Sequence, residues 1–116
     1  MAAGAETLER VVRLSPQDAD AWFQLALVRQ DLRDLSGAAE ALRRVLRLMP
    51  ERAEAEVNLG LVLQDSGRID EAMRAYGRAY RLREDCFGRI AHALAAANVG
   101  RLWLELDELR AGLRSA

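Results

Sequence analysis

"ADAWFQLALVRQD" (residues 19–31) and "AEAEVNLGLVLQD" (residues 53–65) are one amphipathic phrase written twice, 34 residues apart. Shifting the chain by 34 lays Ala19 on Ala53, Ala21 on Ala55, Leu25 on Leu59, Leu27 on Leu61, Val28 on Val62, Gln30 on Gln64 and Asp31 on Asp65. The match continues through Ala38 and Ala72, Ala41 and Ala75, Arg44 and Arg78, and Leu48 and Leu82. It also runs backwards, "ETLERVVRLSP" (6–16) over "EALRRVLRLMP" (40–50), so that Pro16 and Pro50 keep the same spacing. Small positions, apolar positions and prolines all stay in phase. A period of this length marks a supersecondary unit that cannot bury its apolar face alone and does so by stacking on its neighbours.

Each period reads as two helices. Trp22, Leu25 and Ala26, with Phe23 and Leu27, form a broad apolar face at helical spacing. Asp34 is placed to cap the helix that follows, and Gly67-Arg68 marks the equivalent turn one period later. That second helix turns Ala38, Ala41, Leu42, Val45, Leu46 and Leu48 inward until Pro50 stops it. The pattern predicts helices near 4–14, 18–32, 35–48, 52–66, 69–82 and 87–98.

Composition agrees. The chain has 116 residues, the size of a single domain. It is 51% hydrophobic yet holds only two residues each of Trp, Tyr and Phe, so Ala, Leu and Val carry the apolar mass and favour helices over sheets. A net charge of −1 gives no field that would draw the chain to nucleic acid or an anionic membrane. All 17 basic residues are arginine, which excludes lysine Schiff bases and the P-loop lysine. One cysteine, Cys86, excludes an internal disulfide and a cysteine-only metal site. The start, "MAAGAETLER", has no signal-peptide core, and no stretch approaches the ~18 apolar residues of a membrane span. A reducing, cytoplasmic setting without cofactor, metal or membrane is expected.

The pattern resembles the tetratricopeptide repeat, whose outline is W-x2-L-G-x2-Y, A-x3-F, P. Trp22, Leu25, Ala26, Ala38, Leu42 and Pro50 match it in the first full repeat, and Leu59, Gly60, Ala72, Tyr76 and Ala79 in the second. Small residues at 26, 60, 38 and 72 let paired helices approach closely. Arg29 replaces the family tyrosine, Glu56 the tryptophan and Glu84 the third proline. The third copy, "FGRIAHALAAANVGRL" (87–102), turns Ile90, Ala93, Leu94 and Ala97 inward but carries Leu94 at the small position, and reads as a closing helix. The resemblance implies an all-α, right-handed α-α superhelix of about two and a half repeats plus a C-terminal capping helix. Its parts are a half repeat (4–17), repeats at 18–51 and 52–85, a degenerate third-repeat helix (86–100) and a cap (101–116) with Trp103 folded back over the last pair. Both a short bacterial-type member and a segment of a longer array fit this outline.

The resemblance further implies a concave surface lined by first helices. Asp20, Phe23, Leu27, Gln30 and Asp31 fall on it, followed by Glu54, Val57, Leu61, Gln64 and Asp65. Their spacing of three and four sets them on one face, apart from Leu25 and Ala26. Phe23, Leu27, Val57 and Leu61 make an apolar floor with acid at both edges. Either these side chains pack between neighbouring first helices, or they contact a short segment or helix of a partner. An acidic, apolar groove suits a partner segment carrying basic and apolar residues. A clamp for a C-terminal carboxylate is disfavoured, since only Asn58 fits the basic and asparagine set such clamps use.

Three other readings compete. Arg10, Arg44 and Arg78, with Arg13, Arg47 and Arg81, would form two ladders on the opposite surface, able to hold an anionic partner. Glu6–Arg10, Glu9–Arg13, Glu40–Arg44 and Asp70–Arg74 are spaced as i,i+4 pairs, however, and no aromatic residues alternate with the arginines to stack bases, which disfavours nucleic acid. Terminal helix faces suit homodimerisation, or a regulatory module of a larger protein. Catalysis is rejected: Cys86 and His92 lie six positions apart, and nothing supplies an orienting group or oxyanion site.

Overall fold

The computed structural model describes residues 2–96 and 106–115, with side chains from Gly4 to Ala96 and from Glu108 to Ser115. Ala97 and Trp103, and whatever was expected of them, lie outside the described residues. The described chain is all-α: α1 (Ala2–Leu14), α2 (Ala19–Asp31), α3 (Leu35–Leu48), α4 (Ala53–Asp65), α5 (Ile69–Leu82), a short 3-10 turn (Glu84–Cys86), α6 (Phe87–Ala96) and α7 (Leu106–Ser115). Helices α1 to α5 lie within two residues of those the period predicts, α6 starts at the predicted residue, and α7 falls in the stretch read as a C-terminal cap.

Local chemistry sets the ends. Asp18 and Asp34 cap α2 and α3 by accepting from Ala21 N and Gly37 N, both at 3.1 Å. The turn from α2 to α3 passes through Arg33 at φ 62°, and the turn from α4 to α5 through Gly67 at φ 81°. The two positions are equivalent across the period, so the turn demands a left-handed residue each time.

Paired helices α2–α3 and α4–α5 make the most extensive contacts, α3 also packs on α4, α1 on α2, and α7 on α5. The principal extents are 46 × 25 × 19 Å. The core runs along the stack. Leu25, Ala38, Ala41, Leu42, Val45, Val62, Tyr76 and Ile90 are all fully buried, and each large apolar side chain among them contributes about 1.5–3 kcal/mol. Gly60 meets the Tyr76 ring so closely that a Cβ there would collide with it. The equivalent pair in the preceding repeat is Ala26 and Leu42, a larger residue against a smaller one.

Two expectations fail. Leu48, predicted inward, is 37% exposed because it is the last residue of α3, where the chain turns away at Pro50. None of the four predicted i,i+4 pairs comes within 4 Å: Arg13 donates to the Glu9 carbonyl instead and Arg44 lies over Trp22. The pairs that join different elements are made by Arg29, Arg33, Arg52 and Arg78. Arg29, standing at the family tyrosine position, joins three helices by donating to Gly37 O at 3.0 Å and pairing with Glu9 at 3.7 Å.

Candidate functional site

The ten residues read as a groove fall into three groups. Asp20, Asp31, Glu54 and Asp65 are exposed, Leu27, Gln30 and Leu61 are half-buried, and Phe23, Val57 and Gln64 are buried. Phe23 and Val57 therefore pack largely between helices. Gln64 is committed internally: it accepts from the Tyr76 hydroxyl at 2.7 Å and donates to Ala93 O at 3.0 Å, tying α4 to α5 and α6. Its equivalent, Gln30, has an Oε1 without a hydrogen-bond partner among the described residues, because Leu42 stands where Tyr76 would supply the hydroxyl.

Between α2 and α4 the chain fills its own groove. The Arg52 guanidinium lies 4.3 Å from the centroid of the Phe23 ring and donates to Asp20 Oδ1 at 2.9 Å. At the far end Arg33 pairs with Asp65 at 3.3 Å. Between α4 and α6 the groove is open. A cavity of about 430 Å³ is walled by Val57, Leu61, Gln64 and Asp65 on α4 and by Arg89, His92, Ala93 and Ala96 on α6. A second, of about 180 Å³, adjoins it at Val57 and Arg89, and reaches Glu54, Arg83, Asp85 and Cys86. The openness has a cause in side-chain size. Ala93 and Ala96 stand where the preceding first helix carries Leu59 and Val62.

His92 falls on the groove wall. Arg89 and Ala96 were not singled out from the sequence, and Ala93 was read only as inward-facing, although the i, i+4, i+7 spacing of the three marks a helix face. The chemistry of the wall is quiet. The Cys86 thiol donates to Arg83 O at 2.8 Å and burial raises its pKa, which disfavours the thiolate that a nucleophile needs. Arg83 grips Asp85 with two hydrogen bonds, 2.8 and 3.2 Å, and holds that carboxyl below the usual range. Among the described residues no group of three His, Cys, Asp or Glu could hold a metal ion, and no helix is long and apolar enough to cross a membrane.

On the opposite face several ladder arginines are occupied. Arg44 sits 5.5 Å over Trp22, and one period on Arg78 donates to Glu56 Oε2 at 2.8 Å, the carboxylate standing where the tryptophan stood. Arg81 donates to Leu113 O at 3.0 Å, anchoring α7.

Comparisons with known proteins agree with this architecture. The chain superposes on the crystal structure of MamA with a TM-score of 0.79 at 25% identity, over 96% of this chain and 65% of that one. A second MamA structure gives a TM-score of 0.74 at 25% identity, over 96% of this chain and 57% of that one. A mutant of the Thermobaculum terrenum O-GlcNAc transferase matches at 29% identity with a TM-score of 0.70, over 78% of this chain but 18% of the transferase. The chain thus spans less than two thirds of each of these proteins. No curated protein matches it. The model of the tetratricopeptide repeat matches residues 23–88, more than half of the chain. The chain belongs to the tetratricopeptide repeat family.

Proposed function

We propose that this protein is a non-catalytic interaction module whose first-helix surface receives a short segment or helix of a partner protein. The observation that carries this reading is the open, largely apolar groove between α4 and α6, about 430 Å³ in volume, within the ~300–1,000 Å³ of typical ligand clefts. Leu27 and Leu61 offer apolar anchors, while Asp31 and Glu54 are acidic and exposed. The occupant this favours carries basic and apolar residues side by side. A buried free thiol suits a reducing compartment such as the cytoplasm.

The test is affinity capture from native lysate with the wild type and a Leu27→Arg/Leu61→Arg variant of equal helicity by circular dichroism. Partners held by the wild type and lost by the variant support the groove. An identical catch from both removes it.

A second reading has its own observation. Val11 is 36% exposed on α1, whereas its equivalents Val45 and Ala79 are fully buried. An uncovered face of that kind favours self-association or attachment to a neighbouring domain. Light scattering on the wild type and Val11→Glu checks it: a dimer that the variant dissolves supports this reading, and a monomer in both removes self-association.

A further inference from the structure

We infer that the smaller cavity beside α4 is a site for an arginine side chain of the partner, held between Glu54 and Val57. The template is inside the chain. Arg52, immediately before α4, is held by one acid, Asp20, and one apolar surface, the Phe23 ring. Moving by 34 turns Asp20 into Glu54, Phe23 into Val57 and Arg52 into Cys86, immediately before α6. The acid and the apolar surface are kept while the cation is replaced by a short thiol. The cavity of about 180 Å³ lies at that place, lined by Glu54, Val57, Cys86 and their neighbours. It is roughly ten times the ~15 Å³ that one water needs.

The charges facing the cavity decide what enters. Arg83 and Asp85 satisfy one another through two hydrogen bonds. Arg83 also feels the Glu54 charge, and the lining holds two acids and two arginines. Arg89 lines both cavities and Glu54 only the smaller, so Arg89 stands at the junction. With Arg83 gripped by Asp85, Glu54 is the acid that an entering cation would meet. Helix N-termini oppose cations, yet Arg52 occupies the equivalent end one repeat earlier and shows that a carboxylate and an apolar surface together outweigh this. A guanidinium is preferred over an ammonium because its weakly hydrated face packs on apolar carbon while its edge meets the carboxylate. The apolar neighbours of that arginine would run over Leu61, Ala93 and Ala96. This site rests on the groove reading above and gives it one residue-level contact.

Titration of the 15N-labelled protein with acetyl-Leu-Arg-Leu-amide, and with its citrulline and lysine counterparts, tests the site. The arginine peptide should shift the amides of Glu54, Val57 and Cys86 and bind more tightly than either counterpart. Glu54→Gln should weaken it about tenfold, the loss of one charge-assisted hydrogen bond. Arg89→Ala should tighten it by removing a like charge. Cys86→Arg should abolish it with helicity retained, since the chain then fills its own site. Equal binding of the arginine and citrulline peptides overturns the site, as does weaker binding in Arg89→Ala, which would mark an anion site. Shifts confined to Leu61, Ala93 and Ala96 that survive Glu54→Gln overturn the arginine site and leave the groove standing. Silence at every amide overturns the arginine site, and the groove is then judged by the Leu27/Leu61 capture alone.

Discussion

Gly60 and Tyr76 fit one another as a pair: the tyrosine ring occupies the space where any Cβ at residue 60 would lie. Gly60→Ala should therefore destabilise the protein by about 1–3 kcal/mol through overpacking. The preceding repeat solves the same contact with Ala26 and Leu42. Tyr76→Leu alone should be costly, since it removes the hydroxyl bonded to Gln64. It should cost less when added to Gly60→Ala than in the wild type, with a coupling of about 1–2 kcal/mol. Urea melts of the two single variants and the double variant measure that coupling; simple additivity would contradict the fit.

The two left-handed turn residues should respond oppositely. Gly67→Ala places a side chain at φ 81° and should cost about 1 kcal/mol. Arg33 already bears that strain at φ 62°. Arg33→Gly should relieve about 1–2 kcal/mol of it, offset by greater unfolded-chain freedom and by the loss of an exposed pair with Asp65 worth under about 1 kcal/mol. A net change between zero and a small gain is expected from thermal melts, against a clear loss for Gly67→Ala.

Stability should fall at alkaline pH. Burial, then the nearby Asp65 charge, raises the Tyr76 pKa well above its ordinary value near 10, and burial raises that of Cys86 above 9.0. Both groups stay protonated in the folded state at pH values where the unfolded chain ionises. Their stabilising contribution is complete below pH about 9 and is lost progressively above it. Melting temperatures taken from pH 8 to 11 should decline, and the decline should be shallower in Cys86→Ala. A flat profile would contradict the burial of both groups.

Arg52→Ala uncovers Phe23 and frees Asp20. The cost should be about 1 kcal/mol, combining a partly desolvated cation–π contact with an ion pair whose acid is 83% exposed and heavily screened. Hydrogen exchange should quicken at the start of α4 and remain unchanged in α5.

The period made the helices, the turns and the small positions legible, because each rests on residues close in sequence or one repeat away. Burial within the groove was less legible. Phe23 and Val57 share the predicted face with Leu27 and Leu61, yet they are buried. How deep each lies depends on the neighbouring first helix and, for Phe23, on the Arg52 guanidinium above it, neither of which a single helix face encodes. Gln64 reads as an exposed polar residue until Tyr76 and Ala93 are brought to its two ends. The ion pairs escaped for a related reason. Arginine is long enough to reach a neighbouring element, and Arg29 on α2, Arg33 in the α2–α3 turn and Arg52 just before α4 all pair with acids on other helices.

On the proposed reading, the open surface along α4 and α6 binds partner segments with basic and apolar residues. Selecting random displayed peptides on the wild-type protein, then screening the winners on Leu61→Arg and on Arg10→Glu/Arg47→Glu, tests it most directly. The prediction is a set of peptides with arginine beside Leu, Ile, Phe or Met, lost on Leu61→Arg and retained on the arginine-face variant. Acidic peptides that survive Leu61→Arg and vanish on Arg10→Glu/Arg47→Glu would contradict it and move the binding surface to the opposite face.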